Sequence, residues 1–212
     1  GVSMGIHESQ SRFYENVIGR SRAFCSVIYP WLKEHFAPRL DNVTEDAFYR
    51  MINKSQPSLI RTEADELTYC LHIMVRYELE KRMFDGTLTA HDLPAQWNRL
   101  YKEYLGIDVP DDRQGVLQDS HWANGNIGYF PSYAIGSAYG AQYLRQMQKD
   151  FDVSAAVATG RLTQINCWLE EKIWKYGCMK DPMALFESVC GKFDPTCYAD
   201  YLENKYSEIY GL

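Results

Sequence analysis

Apolar residues recur at intervals of three and four positions over most of the chain, whereas strict alternation of apolar and polar residues is almost absent. This spacing is typical of amphipathic helices and predicts a mainly α fold, with at most a very short extended segment or small sheet. The first long helix is predicted over residues 5–28, with Phe13, Val17 and Phe24 on its apolar face. Pro30 is predicted to interrupt it before a short continuation through residue 36.

Capping residues and glycines predict where the next helices begin and end. Thr44 is the predicted N-cap of a helix that continues through residue 53. Residues 58–61 are predicted to be extended, and Thr62 opens a helix that reaches Met83 and stops at Gly86. Later helices are predicted at residues 93–105, 131–151, 161–176, 182–189 and 195–210, with a loop over residues 109–128.

The chain has 212 residues, no internal repeat and no flexible linker, which predicts one helical unit over residues 1–212. Its formal charge of −6 provides no overall positive field, so no nucleic acid is expected as a partner. The most apolar stretches, 23–32 and 67–75, are too short and too interrupted for a membrane span of roughly 20 residues. The first residues lack the features of a secretory signal, and the six cysteines contain no C-x-x-C pair. We therefore expect a cytoplasmic location, reduced thiols and no membrane partner.

Five of the 14 glycines lie between residues 115 and 140, among several aromatic residues. Because glycine permits a close approach of the backbone or a positive φ, this cluster would suit the edge of a pocket. A turn packed by aromatic side chains is the commoner arrangement, and the sequence leaves both interpretations open.

Three short stretches carry candidate chemistry. His7 and Glu8 offer two possible metal ligands, Arg61 stands beside the acids of a helix start, and Asp119 precedes His121 by two positions. An acid in that position can orient an imidazole by accepting its second N–H. Each stretch also has an ordinary explanation: a solvated charged face, a surface ion pair worth at most about 1 kcal/mol, and a structural histidine.

Taken in order, the three stretches resemble three signature motifs of the carboxypeptidase Taq family of metallocarboxypeptidases. They read I-H-E-S-Q-S-R at 6–12, I-R-T-E-A-D-E-L-T-Y at 60–69 and G-V-L-Q-D-S-H-W at 115–122. The resemblance continues through residues 128–133 and into a tail at 200–206. It implies a helical fold with a deep groove like that of the neurolysin and angiotensin-converting-enzyme group. It also implies an enzyme, commonly a homodimer, that releases single residues from peptide C-termini.

The resemblance further implies one divalent metal ion, zinc or else cobalt. The family holds it through two histidines of an H-E-x-x-H helix and a downstream glutamate, which corresponds to Glu8 in this chain. None of the five histidines begins an H-E-x-x-H motif, since only His7 is followed by glutamate and residue 11 is Ser11. A catalytic zinc normally has three protein ligands. We therefore expect this chain to be the C-terminal part of a larger enzyme, inactive alone and binding no metal tightly.

The resemblance also suggests roles for the remaining candidates. Arg61 is expected to bind the substrate carboxylate, because its planar fork makes two charge-assisted hydrogen bonds. His121, oriented by Asp119, is expected to donate to the tetrahedral oxyanion or to the substrate backbone. Tyr129 and Tyr133 are expected to add hydrogen bonds in the same region, and which of the two does so is open.

Three interpretations of the whole chain follow. The first is a fragment of a metallocarboxypeptidase, the second is one half of a two-chain peptidase, and the third is a helical peptide-binding module without catalysis. The expected partners are peptide C-termini and the missing portion that carries H-E-x-x-H. Self-association is also expected, because a fragment exposes apolar surface where the missing portion packs.

Overall fold

The computed structural model describes residues 3–212, and over this range it contains ten α-helices and no β-strand. The prediction of a mainly α fold is thereby confirmed. The helices are α1 (Met4–Arg12), α2 (Arg22–His35), α3 (Glu45–Ile52), α4 (Tyr69–Phe84), α5 (Leu93–Leu105), α6 (Pro131–Met147), α7 (Val153–Ala158), α8 (Leu162–Lys172), α9 (Pro182–Cys190) and α10 (Thr196–Tyr210).

The chain divides into two compact units. Unit 1 comprises Gly1–Asn53 and Ile135–Leu212, of which residues 3 onward are described, and unit 2 comprises Lys54–Ala134. The single unit predicted for residues 1–212, whose first two residues lie outside the described range, stays a prediction. Within residues 3–212, no helix has the length and apolar character needed to cross a bilayer.

The predicted first helix breaks earlier than expected. After α1 the chain forms a π-helical segment, Phe13–Ile18, and a turn at Gly19. A new N-cap follows, since the hydroxyl of Ser21 accepts from the N–H of Phe24 at 3.1 Å and opens α2. Pro30, the predicted interruption, lies inside α2. The predicted break at Pro30 is therefore wrong, because the first helical stretch ends at Gly19 and α2 continues through Pro30 to His35.

The helix predicted to open at Thr62 begins seven residues later, at Tyr69. Residues Arg61–Glu63 form a single 3₁₀ turn instead. The physical reason is Asp65, whose carboxylate accepts from both the N–H and the hydroxyl of Thr68, at 3.0 and 2.8 Å. Asp65 therefore closes a turn with Thr68, and α4 begins only after that turn.

Several boundaries agree with the sequence. Thr44 caps α3 by accepting from the N–H of Ala47 at 3.1 Å. Helix α5 has its predicted bounds and ends at Gly106, whose φ of +73° explains why glycine stands there. The short helix α7 was not predicted, because its six residues, Val153–Ala158, are too few to show a clear period.

Each unit has its own apolar core. The core of unit 2 lies between α4 and α5. A second, smaller apolar cluster of the same unit consists of Ala64, Tyr69, Ile73 and Phe130, and it packs beneath the residues of the candidate site. The unit 1 core includes Phe13, Tyr139, Tyr143, Met147, Ile165, Leu169, Leu185 and Phe186, and the unit 2 core includes Val75, Leu79, Trp97, Leu100, Tyr101 and Leu105.

In unit 1, α6 approaches α1 through glycines of the cluster between residues 115 and 140. A Cβ atom added at Gly136 would lie 2.6 Å from the carbonyl carbon of Glu8 and 2.8 Å from the backbone nitrogen of Ser9. At Gly140 the nearest atom would be the carbonyl oxygen of Ser9 at 3.5 Å, an ordinary contact. Gly136 is therefore needed for close helix packing around Glu8, and Gly140 is not.

We predict that Gly136→Ala destabilises unit 1 by about 1–3 kcal/mol, because the new methyl group meets backbone that cannot move aside. Gly140→Ala is the matched control on the same helix. It should be neutral or stabilising by up to about 1 kcal/mol, since alanine is the better helix former. Urea unfolding followed by circular dichroism measures both. Equal free energies of unfolding for the two variants would contradict the close packing.

Candidate active site

Arg61 is buried in unit 2, with 6% of its surface exposed. Its Nε and Nη2 atoms donate to Oδ1 of Asp119 at 2.9 and 2.7 Å, and Nη1 donates to the hydroxyl of Tyr69 at 2.9 Å. The ordinary explanation of Arg61 as a surface ion pair with nearby acids is therefore wrong. A buried ion pair must recover a large cost of desolvation, which it does in unit 2 through several hydrogen bonds.

Asp119 serves two arginines at once. Its second oxygen, Oδ2, accepts from Nε of Arg76 at 2.7 Å and forms an ion pair with Nη2 at 2.5 Å, and Arg76 is completely buried in α4. Burial alone would raise the pKa of the Asp119 carboxyl, but the charges of Arg76 and Arg61 outweigh it and lower that pKa. Burial favours the neutral form of Arg61, yet its hydrogen bonds to Asp119 dominate and raise its pKa.

His121 is not oriented by Asp119, as the sequence suggested. Both oxygens of that carboxylate are taken by the arginines, and Nε2 of His121 lies 3.0 Å from the hydroxyl of Tyr133. The imidazole also packs on Phe130, with 4.3 Å between ring centroids. Its Nδ1 atom is buried and has no hydrogen-bond partner among the described residues. Burial, and next the charge of Arg61, lower the pKa of His121, so the ring is neutral at pH 7.

The two predicted tyrosines lie beside His121. The ring of Tyr129 lies 5.7 Å from that of His121 and 5.3 Å from that of Tyr133. The guanidinium of Arg61 lies 5.1 Å from the centre of the Tyr133 ring. Unit 2 therefore brings four of the predicted site residues together.

Glu8 lies in α1 of unit 1. Its Oε2 atom accepts from the hydroxyl of Ser11 at 2.8 Å, and the neighbouring His7 is exposed. Over residues 3–212 there is no group of three or more His, Cys, Asp or Glu side chains that could hold a metal ion. The described residues therefore do not form a complete metal site by themselves. The role of Glu8 as a ligand, and its convergence with Arg61 and His121, stay predictions.

Two important residues of unit 2 were missed from the sequence, namely Arg76 and Glu80. Both are buried in α4, and with His72 they form a polar line at four-residue spacing on a helix that also contributes to the core. Glu80 accepts from the indole of Trp122 at 2.7 Å and from the N–H of Gly128 at 3.1 Å. Charged residues repeated on one helix face were the available signal.

The glycine cluster has a mixed structural role. Gly125 and Gly128 both have a φ of +74°, so they belong to turns, whereas Gly136 permits close helix packing. A separate cavity of about 460 Å³ lies in unit 1 and is lined in part by Arg22 and Lys205. None of the predicted site residues lines this cavity. A search for the site by cavity volume would therefore select a different region from the one that the motifs indicate.

Comparison with known proteins agrees with this helical fold and with the family that the motifs resemble. The chain matches the family described as carboxypeptidase Taq (M32) metallopeptidase over residues 1–206, and it belongs to that family. It is 46% identical to Carboxypeptidase 1 of Bacillus subtilis and 43% identical to Thermostable carboxypeptidase 1 of Pyrococcus furiosus. These matches cover 100% and 97% of this chain.

Solved structures give the same result. The crystal structure of M32 carboxypeptidase from Deinococcus radiodurans R1 is similar with a TM-score of 0.95 and 40% identity, over 100% of this chain and 43% of the other. The structure of Pyrococcus furiosus carboxypeptidase gives a TM-score of 0.94, over 97% of this chain and 42% of the other. The chain spans 43% of the Bacillus relative and 42% of the Pyrococcus relative.

His72 provides a test of the buried charges. Burial, followed by the charges of Arg76 and Arg61, lowers its pKa to about 3 from an ordinary value of 6.5. As the pH falls below 6.5, the unfolded chain takes up a proton that the folded chain does not. The folded state is therefore at full stability above pH 6.5 and loses stability as the pH falls, by about 2 kcal/mol at pH 5.

We predict that His72→Gln flattens this dependence between pH 6.5 and pH 5, because glutamine does not titrate there. The free energy of unfolding is measured in urea at several pH values for both proteins. His121 remains in both, so its own contribution cancels in the difference. Parallel pH curves for His72→Gln and the parent would contradict the burial of His72 beside the two arginine charges.

Proposed function

We propose that this chain provides the substrate-binding part of a metallocarboxypeptidase that releases single residues from peptide C-termini. The observation that carries the proposal is the buried Arg61, fixed by Asp119 beside His121 and Tyr133, in a chain of the carboxypeptidase Taq family. An enzyme that acts only at a chain end must recognise the terminal carboxylate. A fixed guanidinium is well suited to do so.

Arg61 keeps hydrogen-bonding capacity for such a ligand. Three of the five N–H groups of its guanidinium donate to Asp119 and Tyr69, which leaves one on Nη1 and one on Nη2 without a hydrogen-bond partner among residues 3–212. The two remaining groups stand on neighbouring nitrogens, where a carboxylate could accept from both. Its raised pKa keeps the side chain charged at all relevant pH values.

His121 and Tyr133 are proposed to bind the reacting part of the peptide. A neutral imidazole carries one N–H, on either Nδ1 or Nε2. In His121 the hydrogen-bond partner of Nε2 is the hydroxyl of Tyr133. When that hydroxyl donates to Nε2, the proton of His121 is on Nδ1, which has no partner among the described residues. We assign this N–H to the developing oxyanion or the substrate backbone. Tyr129 is proposed to support the same region through its ring contacts.

Glu8 is proposed as one ligand of a divalent metal ion, with zinc as the first candidate and cobalt as the second. Because residues 3–212 contain no three-ligand group, the other ligands and the general base must come from the H-E-x-x-H part that the sequence of this chain lacks. The chain alone is therefore proposed to be inactive. A cytoplasmic location and a homodimer are further parts of this proposal.

The same absence of H-E-x-x-H supports a second candidate, in which this chain and a separate polypeptide together form a two-chain peptidase. A peptide-binding module without catalysis is the third. The three candidates differ in when carboxypeptidase activity appears. Activity only after covalent joining to an H-E-x-x-H part supports the fragment, and activity on simple mixing with a separate H-E-x-x-H polypeptide supports the two-chain enzyme. Peptide binding without activity in either case supports the binding module.

The test is a chimera in which this chain replaces the matching stretch of Carboxypeptidase 1 of Bacillus subtilis, to which it is 46% identical over 214 residues. We predict metal-dependent release of C-terminal residues by the chimera and none by the chain alone. In the chimera, Glu8→Gln should reduce bound metal, measured by atomic emission. Arg61→Ala should leave metal content unchanged and raise KM roughly 30-fold, equivalent to about 2 kcal/mol.

Glu34→Gln is the matched control for Glu8→Gln, because Glu34 is an exposed glutamate on α2. It should retain both metal and activity. A folded chimera that binds metal but releases no residue would reject the carboxypeptidase proposal in favour of the binding module. Unchanged kinetics in Arg61→Ala would remove Arg61 from substrate recognition.

A further inference from the structure

Arg76 makes more polar contacts than a residue needed only for packing requires. It is 0% exposed, and its guanidinium donates to Oδ2 of Asp119, to the carbonyl oxygen of His72 at 2.7 Å and to Oε1 of Gln118 at 2.9 Å. It also lies 4.5 Å from the centre of the Trp97 ring. A buried charge with this many partners is held in one orientation.

The first route from Arg76 to Arg61 passes through the side chain of Asp119. Each arginine uses its Nε and Nη2 atoms on a different oxygen of that carboxylate. Arg76 thereby fixes the plane of the carboxylate, and the carboxylate fixes the guanidinium of Arg61. Two positive groups then share one negative group, so the pairing leaves a positive excess.

The second route passes through the backbone. Oε1 of Gln118 accepts from Arg76 and also from the backbone N–H of Arg61, at 2.9 and 2.8 Å. The amide of Gln118 in turn donates to the carbonyl oxygens of Leu59 and Gln114, both at 2.9 Å. Arg76 therefore helps to hold both the backbone and the side chain of Arg61.

Glu80, an acidic residue of α4 that is also buried, does not neutralise the excess positive charge by forming an ion pair within residues 3–212. Glu80 accepts from Trp122 and Gly128 and forms no ion pair with Arg61 or Arg76 among the described residues. Without Arg76, the carboxylate of Asp119 would be paired with Arg61 alone and would neutralise it. With Arg76 present, Arg61 retains positive character for an incoming anion.

We propose that Arg76 is a positioning residue that acts through Asp119 and Gln118 to keep Arg61 oriented and positively charged for a peptide carboxylate. This inference rests on the proposed function, since it concerns how Arg61 selects a free C-terminus. Arg76 itself does not contact the ligand. Its effect is on the difference in binding affinity between a ligand with a terminal carboxylate and the same ligand without one.

The test measures binding of N-acetyl-dialanine and of its C-terminal amide to the 212-residue chain by NMR titration. We expect the parent to bind the acid at least about tenfold more tightly than the amide, equivalent to about 1.4 kcal/mol. Arg76→Met and Arg76→Gln should reduce this ratio to within about twofold, with the affinity for the amide unchanged, because the charge that offsets Asp119 is lost. Arg76→Lys keeps the charge and should retain the ratio within about threefold.

Arg82→Met is the matched control, because Arg82 is on the same helix and donates to Gln96, away from Asp119. It should keep the parental ratio. Circular dichroism establishes that each variant is folded, and the NMR titration of His121 gives an independent check. Arg76 helps to lower the pKa of His121, so that pKa should rise in the neutral variants and stay low in Arg76→Lys.

A folded neutral variant that keeps the parental ratio would overturn the inference, as would a parent with no preference for the acid. Unfolding of both neutral variants would also overturn it, since Arg76 would then be structural only. The proposed function is judged separately by residue release in the chimera, which can occur even where Arg76 proves to be structural.

Discussion

The carboxylate of Asp119 is the interaction on which the candidate site depends. It lies between two buried arginines and gives one oxygen to each, so that neither positive charge is left unpaired in the interior of unit 2. Removing one member of such a group leaves an uncompensated buried charge, which costs several kcal/mol. The cluster therefore connects the 3₁₀ turn Arg61–Glu63, helix α4 and the loop before His121 into one arrangement.

The chemistry that we propose follows from this arrangement. Because both oxygens of Asp119 are used by the arginines, Asp119 does not orient His121, and burial together with the charge of Arg61 lowers the pKa of that imidazole. A neutral imidazole paired with the hydroxyl of Tyr133 can donate a hydrogen bond without carrying charge into the site. The same positive groups are suited to an anionic ligand. Unit 2 thus combines carboxylate recognition and neutral hydrogen-bond donors.

The sequence was informative where local chemistry decides the structure. Thr44 as a cap and Gly106 as a helix end were predictable, because each acts on residues close to it in the chain. The family was also predictable from the motifs around Glu8, Arg61 and His121, since three long motifs in order are specific.

The sequence was misleading where a distant or competing partner decides. Asp119 was assigned to His121, two residues away, because no local pattern reveals that Arg61 and Arg76 compete for it from 58 and 43 residues away. The start of α4 was misplaced because the carboxylate of Asp65 closes a turn with Thr68 ahead of the helix. Pro30 was given too much weight, since α2 continues through it. Arg76 was missed because a charged residue in a helix usually faces solvent, and only burial shows that this one does not.

The most direct measurement of the central claim is the exchange of arginine Nε protons with water, followed by nitrogen-15 NMR of the chain. We predict strong protection of the Nε–H groups of Arg61 and Arg76, because both donate to a buried carboxylate. Arg99 provides the reference for fast exchange, since its side chain is 55% exposed. Exchange at Arg61 and Arg76 as fast as at Arg99 would contradict the shared carboxylate and the site that depends on it.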